Sequence, residues 1–105
     1  MAYVRRIRIT GAAPEPDDAR LNSLRGRLSA IGVRFVGPSL PVAAGNGRAS
    51  AHVPTEQGPL VIYHYEGRIT IYCELLGIGV AELKETLTEA FGISNPTIVE
   101  DEAAG

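Results

Sequence analysis

Two histidines, one cysteine and twelve acids are the first candidates in this chain for moving a proton, attacking a carbon or holding a metal ion. Histidine is the side chain whose unperturbed pKa lies near neutrality, so a general base would begin with His64 and His52. His64 lies in Leu60-Val-Ile-Tyr-His-Tyr-Glu-Gly-Arg-Ile-Thr-Ile-Tyr-Cys-Glu-Leu75, two β-rich runs about a Glu66-Gly67 pair that suits a two-residue hairpin turn. If Tyr65 pairs with Arg68 across that turn, His64 faces Ile69, Ile62 faces Ile71 and Leu60 faces Cys73 on one side. Tyr63 then faces Thr70, and Val61 faces Tyr72, on the other. The first side is core. It makes His64 an edge-of-core histidine and Cys73 a buried small hydrophobe. The two lie about four pairs apart, well over 10 Å at ~3.3 Å per residue, and cannot share a metal ion. His52 sits in a Gly/Ala/Pro stretch with no nameable partner. Gly45-Asn-Gly47-Arg48 lacks the longer glycine pattern and following helix of a phosphate loop and reads as a turn. Glu82, Glu85 and Glu89 make a solvated helix face. The expectation is no catalytic residue, no metal and no cofactor.

The second side of the hairpin carries the stronger signal. Tyr63, Tyr65, Arg68, Thr70, Tyr72 and Glu74 fall there. The alternating segment Tyr3 to Thr10 sends Arg6 and Arg8 to a matching polar face and Ile7 and Ile9 to the core. Tyrosine offers broad contact area with a polar tip and is enriched at interfaces. Arg6, Arg8, Tyr63, Tyr65, Arg68 and Tyr72 are therefore the expected binding residues, on an open face covered by a second copy or another protein. Two other coverings remain open: the 37–59 segment folding back, or a small ligand. Aromatic and basic residues on a sheet also suit RNA, but neither Tyr3-Val-Arg-Arg-Ile-Arg nor Glu66-Gly-Arg-Ile-Thr-Ile-Tyr has the aromatic placement of an RNA-recognition sheet, so nucleic acid is disfavoured.

These side chains need elements to hold them. Pro16 with Asp17 and Asp18 supplies a first-turn proline and acids for a helix N-terminus, Leu21, Leu24, Leu28 and Ile31 recur at helical spacing, and Gly32 is a stop. Val33-Arg-Phe-Val36 reads as a short strand. Residues 37–59 read equally as a mobile loop or as a weak hairpin over Val42 to Val53 turning at Asn46-Gly47. Val80, Leu83, Leu87 and Ala90 with Phe91 mark a second helix from Ile78 to Phe91, ended by Gly92. Pro96 to Glu100 forms a short closing strand, and residues 101–105 a frayed acidic tail. This order predicts one α+β domain over residues 1–105. The plan is a ferredoxin-like two-layer sandwich, an antiparallel sheet with two helices on one face and extra strand or loop material in the middle. Gly32-Val-Arg-Phe-Val36 resembles five residues of the acylphosphatase signature, but it follows the first helix where that family's anion-cradling loop precedes it, and it implies nothing for this chain.

Composition sets the outer bounds. With 105 residues and 45% hydrophobic content the chain has material for a single core. A formal net charge of −2 is too mild for a histone-like binder. The charge is uneven: residues 1–50 hold eight Arg against three acids, and residues 51–105 hold Arg68 and Lys84 against nine acids. Such halves can neutralise each other within one monomer or between subunits. One cysteine cannot close an intrachain disulfide. The first residues carry no signal-peptide core, and no run approaches the ~20 apolar residues of a membrane helix, so a cytoplasmic chain with no membrane contact is expected. The leading expectation is a non-enzymatic domain that forms a homodimer or binds a protein partner. The alternatives are a small cofactor-free enzyme of the dimeric ferredoxin-like type and a weak anion or nucleic-acid binder.

Overall fold

The computed structural model describes residues 3–38, 40–45 and 48–104. Strand β1 (Tyr3–Ala12) buries Ile7 and Ile9 and exposes Arg6 and Arg8, the alternation that a half-buried strand requires. Gly11 sits at a register shift, where an added Cβ would lie 2.3 Å from Ile93 Cγ2, so the close approach of the chain after the second helix requires glycine. Helix α1 (Asp18–Ala30) is capped by Asp17, whose carboxylate accepts from the Arg20 N–H at 2.8 Å. Pro16 therefore precedes the cap and is not in the first turn. Leu24 and Leu28 are buried, with Leu21 and Ile31 packed beside them. Gly26 is exposed on this helix and an added Cβ would meet nothing within 4 Å. Gly26→Ala is expected to stabilise the fold by about 1 kcal/mol, raising the thermal midpoint by roughly 4–8 °C in a calorimetric scan.

The segment read as a loop or weak hairpin is a hairpin: β2 (Leu40–Gly45) pairs antiparallel with β3 (Arg48–His52). Its expected turn, Asn46-Gly47, lies outside the described residues. Val33 to Val36 is not a strand, since Phe35 makes one isolated bridge, to Thr55. The backbone of this segment is satisfied by a loop instead. Arg34 N–H donates to Gln57 Oε1 at 3.0 Å, Gln57 Nε2 donates to the Gly32 carbonyl at 2.9 Å, and Val36 N–H donates to the Pro54 carbonyl at 3.2 Å. Gly37-Pro38 prevents further pairing.

Strands β4 (Leu60–Tyr65) and β5 (Arg68–Glu74) form the expected hairpin with the expected register, Tyr65 opposite Arg68 and Leu60 opposite Cys73. Glu66 and Gly67 have φ of 49° and 75°, the paired positive values of a type I′ turn. Helix α2 (Val80–Phe91) starts two residues after Ile78 because Gly79 occupies the cap, and Gly92 ends it in the left-handed region. Strand β6 (Ser94–Ala104) is longer than the sequence suggests. Residues Asp101 to Ala104, expected to fray, continue the pairing with β1, and Asp101 and Glu102 fall opposite Arg6 and Arg5.

The fold is α+β, with one antiparallel six-stranded sheet in the order β2-β3-β4-β5-β1-β6. That six-stranded order differs from the ferredoxin-like plan that the sequence suggests. The buried side chains of β1, β4 and β5 form one cluster with Leu24 and Leu28 of α1 and Leu83, Leu87 and Phe91 of α2. Among the described residues no helix is long and apolar enough to cross a membrane. Among the described residues, arginines of the basic half pair with acids of the acidic half: Arg6 with Glu74, Arg27 with Glu89, and Arg34 with Glu56. The charge asymmetry is thus absorbed in part within one chain.

Candidate functional site

Strand alternation that sends Ile7, Ile9, Leu60, Ile62, Ile69, Ile71 and Cys73 into the core leaves the alternate residues on the opposite side of the sheet. The registers arrange them in rows. Tyr63, Thr70, Thr10 and Thr97 form one row across β4, β5, β1 and β6, and Val61, Tyr72, Arg8 and Val99 form the next. Tyr65 and Arg68 face each other beside the hairpin tip, and Arg6 lies opposite Glu74. All six expected residues, Arg6, Arg8, Tyr63, Tyr65, Arg68 and Tyr72, therefore occupy one face. Arg6, Arg8 and Tyr72 are brought into one group, Tyr65 and Arg68 into another, with Tyr63 between. Tyr63 is 52% exposed and Tyr65 43%.

The 37–59 segment does not fold back across this face in the described backbone. β2 and β3 extend the sheet sideways, while the loop after β3 docks on residues 32–36 and on the end of β5, where Glu74 N–H donates to the Pro59 carbonyl at 3.1 Å and Leu76 N–H to the Gln57 carbonyl at 3.2 Å. Sequence reasoning missed Val99, which completes the face on β6. Its signal was the Thr97-Ile-Val99 alternation, unusable until β6 is known to lie beside β1.

Glu74 organises one end of the face. Its Oε1 accepts from Arg6 Nε at 2.9 Å and from the Tyr72 hydroxyl. The Tyr72 phenol is raised above its ordinary value, first because ionisation would forfeit that hydrogen bond and then through burial and the neighbouring carboxylate charge. The stability this contact contributes is complete below pH about 10 and is lost as pH rises through the raised value. Glu74→Gln is expected to lower the Tyr72 titration toward that of an ordinary phenol, read as a shift of the tyrosinate absorbance curve to lower pH; an unmoved curve would mean the carboxylate does not control it. Beside this group Arg6, Ile7, Arg8, Tyr72 and Val99 line a shallow notch of about 200 Å³.

Of the proton-transfer candidates, His64 and Cys73 are buried on the core side of the sheet, while His52 falls on the open face. His64 is buried, 7% exposed, and its Nε2 donates to the Ala13 carbonyl at 2.9 Å, tying the hairpin tip to the end of β1. The Cys73 thiol is pushed up to about 12 by burial and then by the Glu74 charge, and is therefore a poor nucleophile. His52 lies half-buried opposite Val61. Among the described residues no three of His, Cys, Asp and Glu converge as a metal site. Comparison with protein-family models finds no match to this chain, and comparison with curated proteins finds none either.

Proposed function

We propose that this chain is a non-enzymatic interaction domain that associates with a protein surface through the Tyr/Arg face of its sheet. The observation that carries this reading is the placement of Tyr63, Tyr65 and Tyr72 on one side of β4 and β5, with the first two about half exposed. Aromatic area among arginines is the composition of interface centres, where ring burial supplies affinity and guanidinium groups supply direction. The reading treats β6, β1, β5 and β4 as a ferredoxin-like unit with both helices on one face and β2-β3 as an added hairpin. It places the protein in the cytoplasm, where one unpaired thiol stays reduced.

Packing favours binding over catalysis. Ile7, Ile9, Leu24, Leu28, Ile62, Ile71, Leu87 and Phe91 each have at most 1% exposure, so the space between helices and sheet is filled where a cofactor-free enzyme would need a pocket. Arg6 is held by Glu74, which reduces the charge available to phosphates. Sedimentation equilibrium at low and high salt tests the reading. An association that persists in about 1 M salt, where the Debye length is ~3 Å, is expected of aromatic burial; one that vanishes with salt would favour an anion or nucleic-acid binder.

A further inference from the structure

Resting on that reading, we infer that the partner is a second copy of this chain, docked so that Tyr63 of each copy seats in the notch between Arg6, Arg8, Tyr72 and Val99 of the other. The notch, about 200 Å³, is smaller than the ~300–1,000 Å³ of a small-molecule site, yet a cavity of ~150 Å³ accommodates benzene. It has the room for one phenol ring. Its chemistry suits that ring as well: Val99 gives an apolar wall, Tyr72 an aromatic one, and Arg8 a guanidinium with no ion-pair partner among the described residues, free to stack on a ring face. Arg6 is already committed to Glu74.

Symmetry permits both contacts at once. A twofold interface needs knob and hole on the same face. Tyr63 on β4 and Arg8 on β1 lie on either side of β5, about 10 Å apart at ~4.8 Å per strand, so a twofold axis between the stacked sheets and over β5 exchanges them. The area suffices too. Five strands of about seven residues give a flat footprint of ~550 Å² per copy and ~1,100 Å² for the pair, above the ~1,000 Å² that a specific interface needs.

A double-mutant cycle on dimer dissociation, read by sedimentation equilibrium with circular dichroism to verify folding, tests the pairing. Tyr63→Ala and Arg8→Ala are each expected to weaken the dimer at least about tenfold, the double variant no more than the stronger single, and Tyr63→Phe less than about threefold. Additive losses from the two singles would show that the side chains do not meet, overturning this docking while the proposed face stands. Dimers unaffected by either single would also overturn the docking. A wild-type chain that stays monomeric at hundreds of micromolar would overturn the self-association itself and leave the face to a different protein.

Discussion

Gly58→Ala is expected to destabilise the fold by roughly 3 kcal/mol or more, through a clash with backbone that no side-chain movement relieves. Gly58 has φ of +148°, and a Cβ there would lie 1.9 Å from the Glu74 carbonyl oxygen, an atom of the backbone that cannot rotate away. Relief requires the loop to leave the end of β5. That movement would break the bonds from Glu74 N–H to Pro59 and from Leu76 N–H to Gln57, together with the turn in which Gly58 N–H donates to Thr55 Oγ1 at 3.1 Å. Since the Glu74 side chain holds Arg6 and Tyr72, the same change reaches the open face. At about 4–8 °C per kcal/mol, thermal melting should fall by 12 °C or more. Gly77→Ala provides the comparison: its φ is +80° but no atom lies within 4 Å of an added Cβ, so it carries the backbone term alone, about 1–2 kcal/mol. Equal melting of the two variants would mean that the Glu74 contact relaxes without cost.

Tyr63→Ala combined with Tyr72→Ala is expected to weaken association by at least about 100-fold while leaving the chain folded. Tyr63 is more than half exposed, so its removal takes little from the core. Tyr72 gives one hydrogen bond to Glu74, worth about 1.5–3 kcal/mol at a charged acceptor in a protected site and less at this half-exposed one. What the pair supplies instead is ring area in the middle rows of the face. Sedimentation should show the smaller species at concentrations where the wild-type chain is associated, with an unchanged far-ultraviolet dichroism spectrum. An unchanged mass would place the interface elsewhere.

The face was legible before the structure because two local rules converge on it. A two-residue turn at Glu66-Gly67 fixes one register, and period-2 alternation then assigns every side chain of the hairpin to a side. The same alternation places Arg6 and Arg8. The rest depended on distant partners. Ala, Gly and Pro give the 40–52 region too little side chain to distinguish a strand from a loop, and its pairing is decided by the free edge of β4. Val33 to Val36 looks like a strand by composition, but Gln57 and Pro54, some twenty residues later, take its backbone groups. Asp101 to Ala104 read as a solvated tail because the backbone of β1 that pairs with them lies at the opposite end of the chain. Val99 joins the site only once β6 is placed beside β1.

The exchange of the tyrosine face between solvent and a partner can be read directly from an amide nuclear magnetic resonance dilution series on the wild-type chain. On dilution from millimolar to micromolar concentration, amides of residues 6–10, 61–65 and 68–74 are expected to shift together along one binding curve, with those on the outer faces of α1 and α2 unmoved. Spectra independent of concentration, or shifts confined to the helices, would contradict a self-associating sheet face.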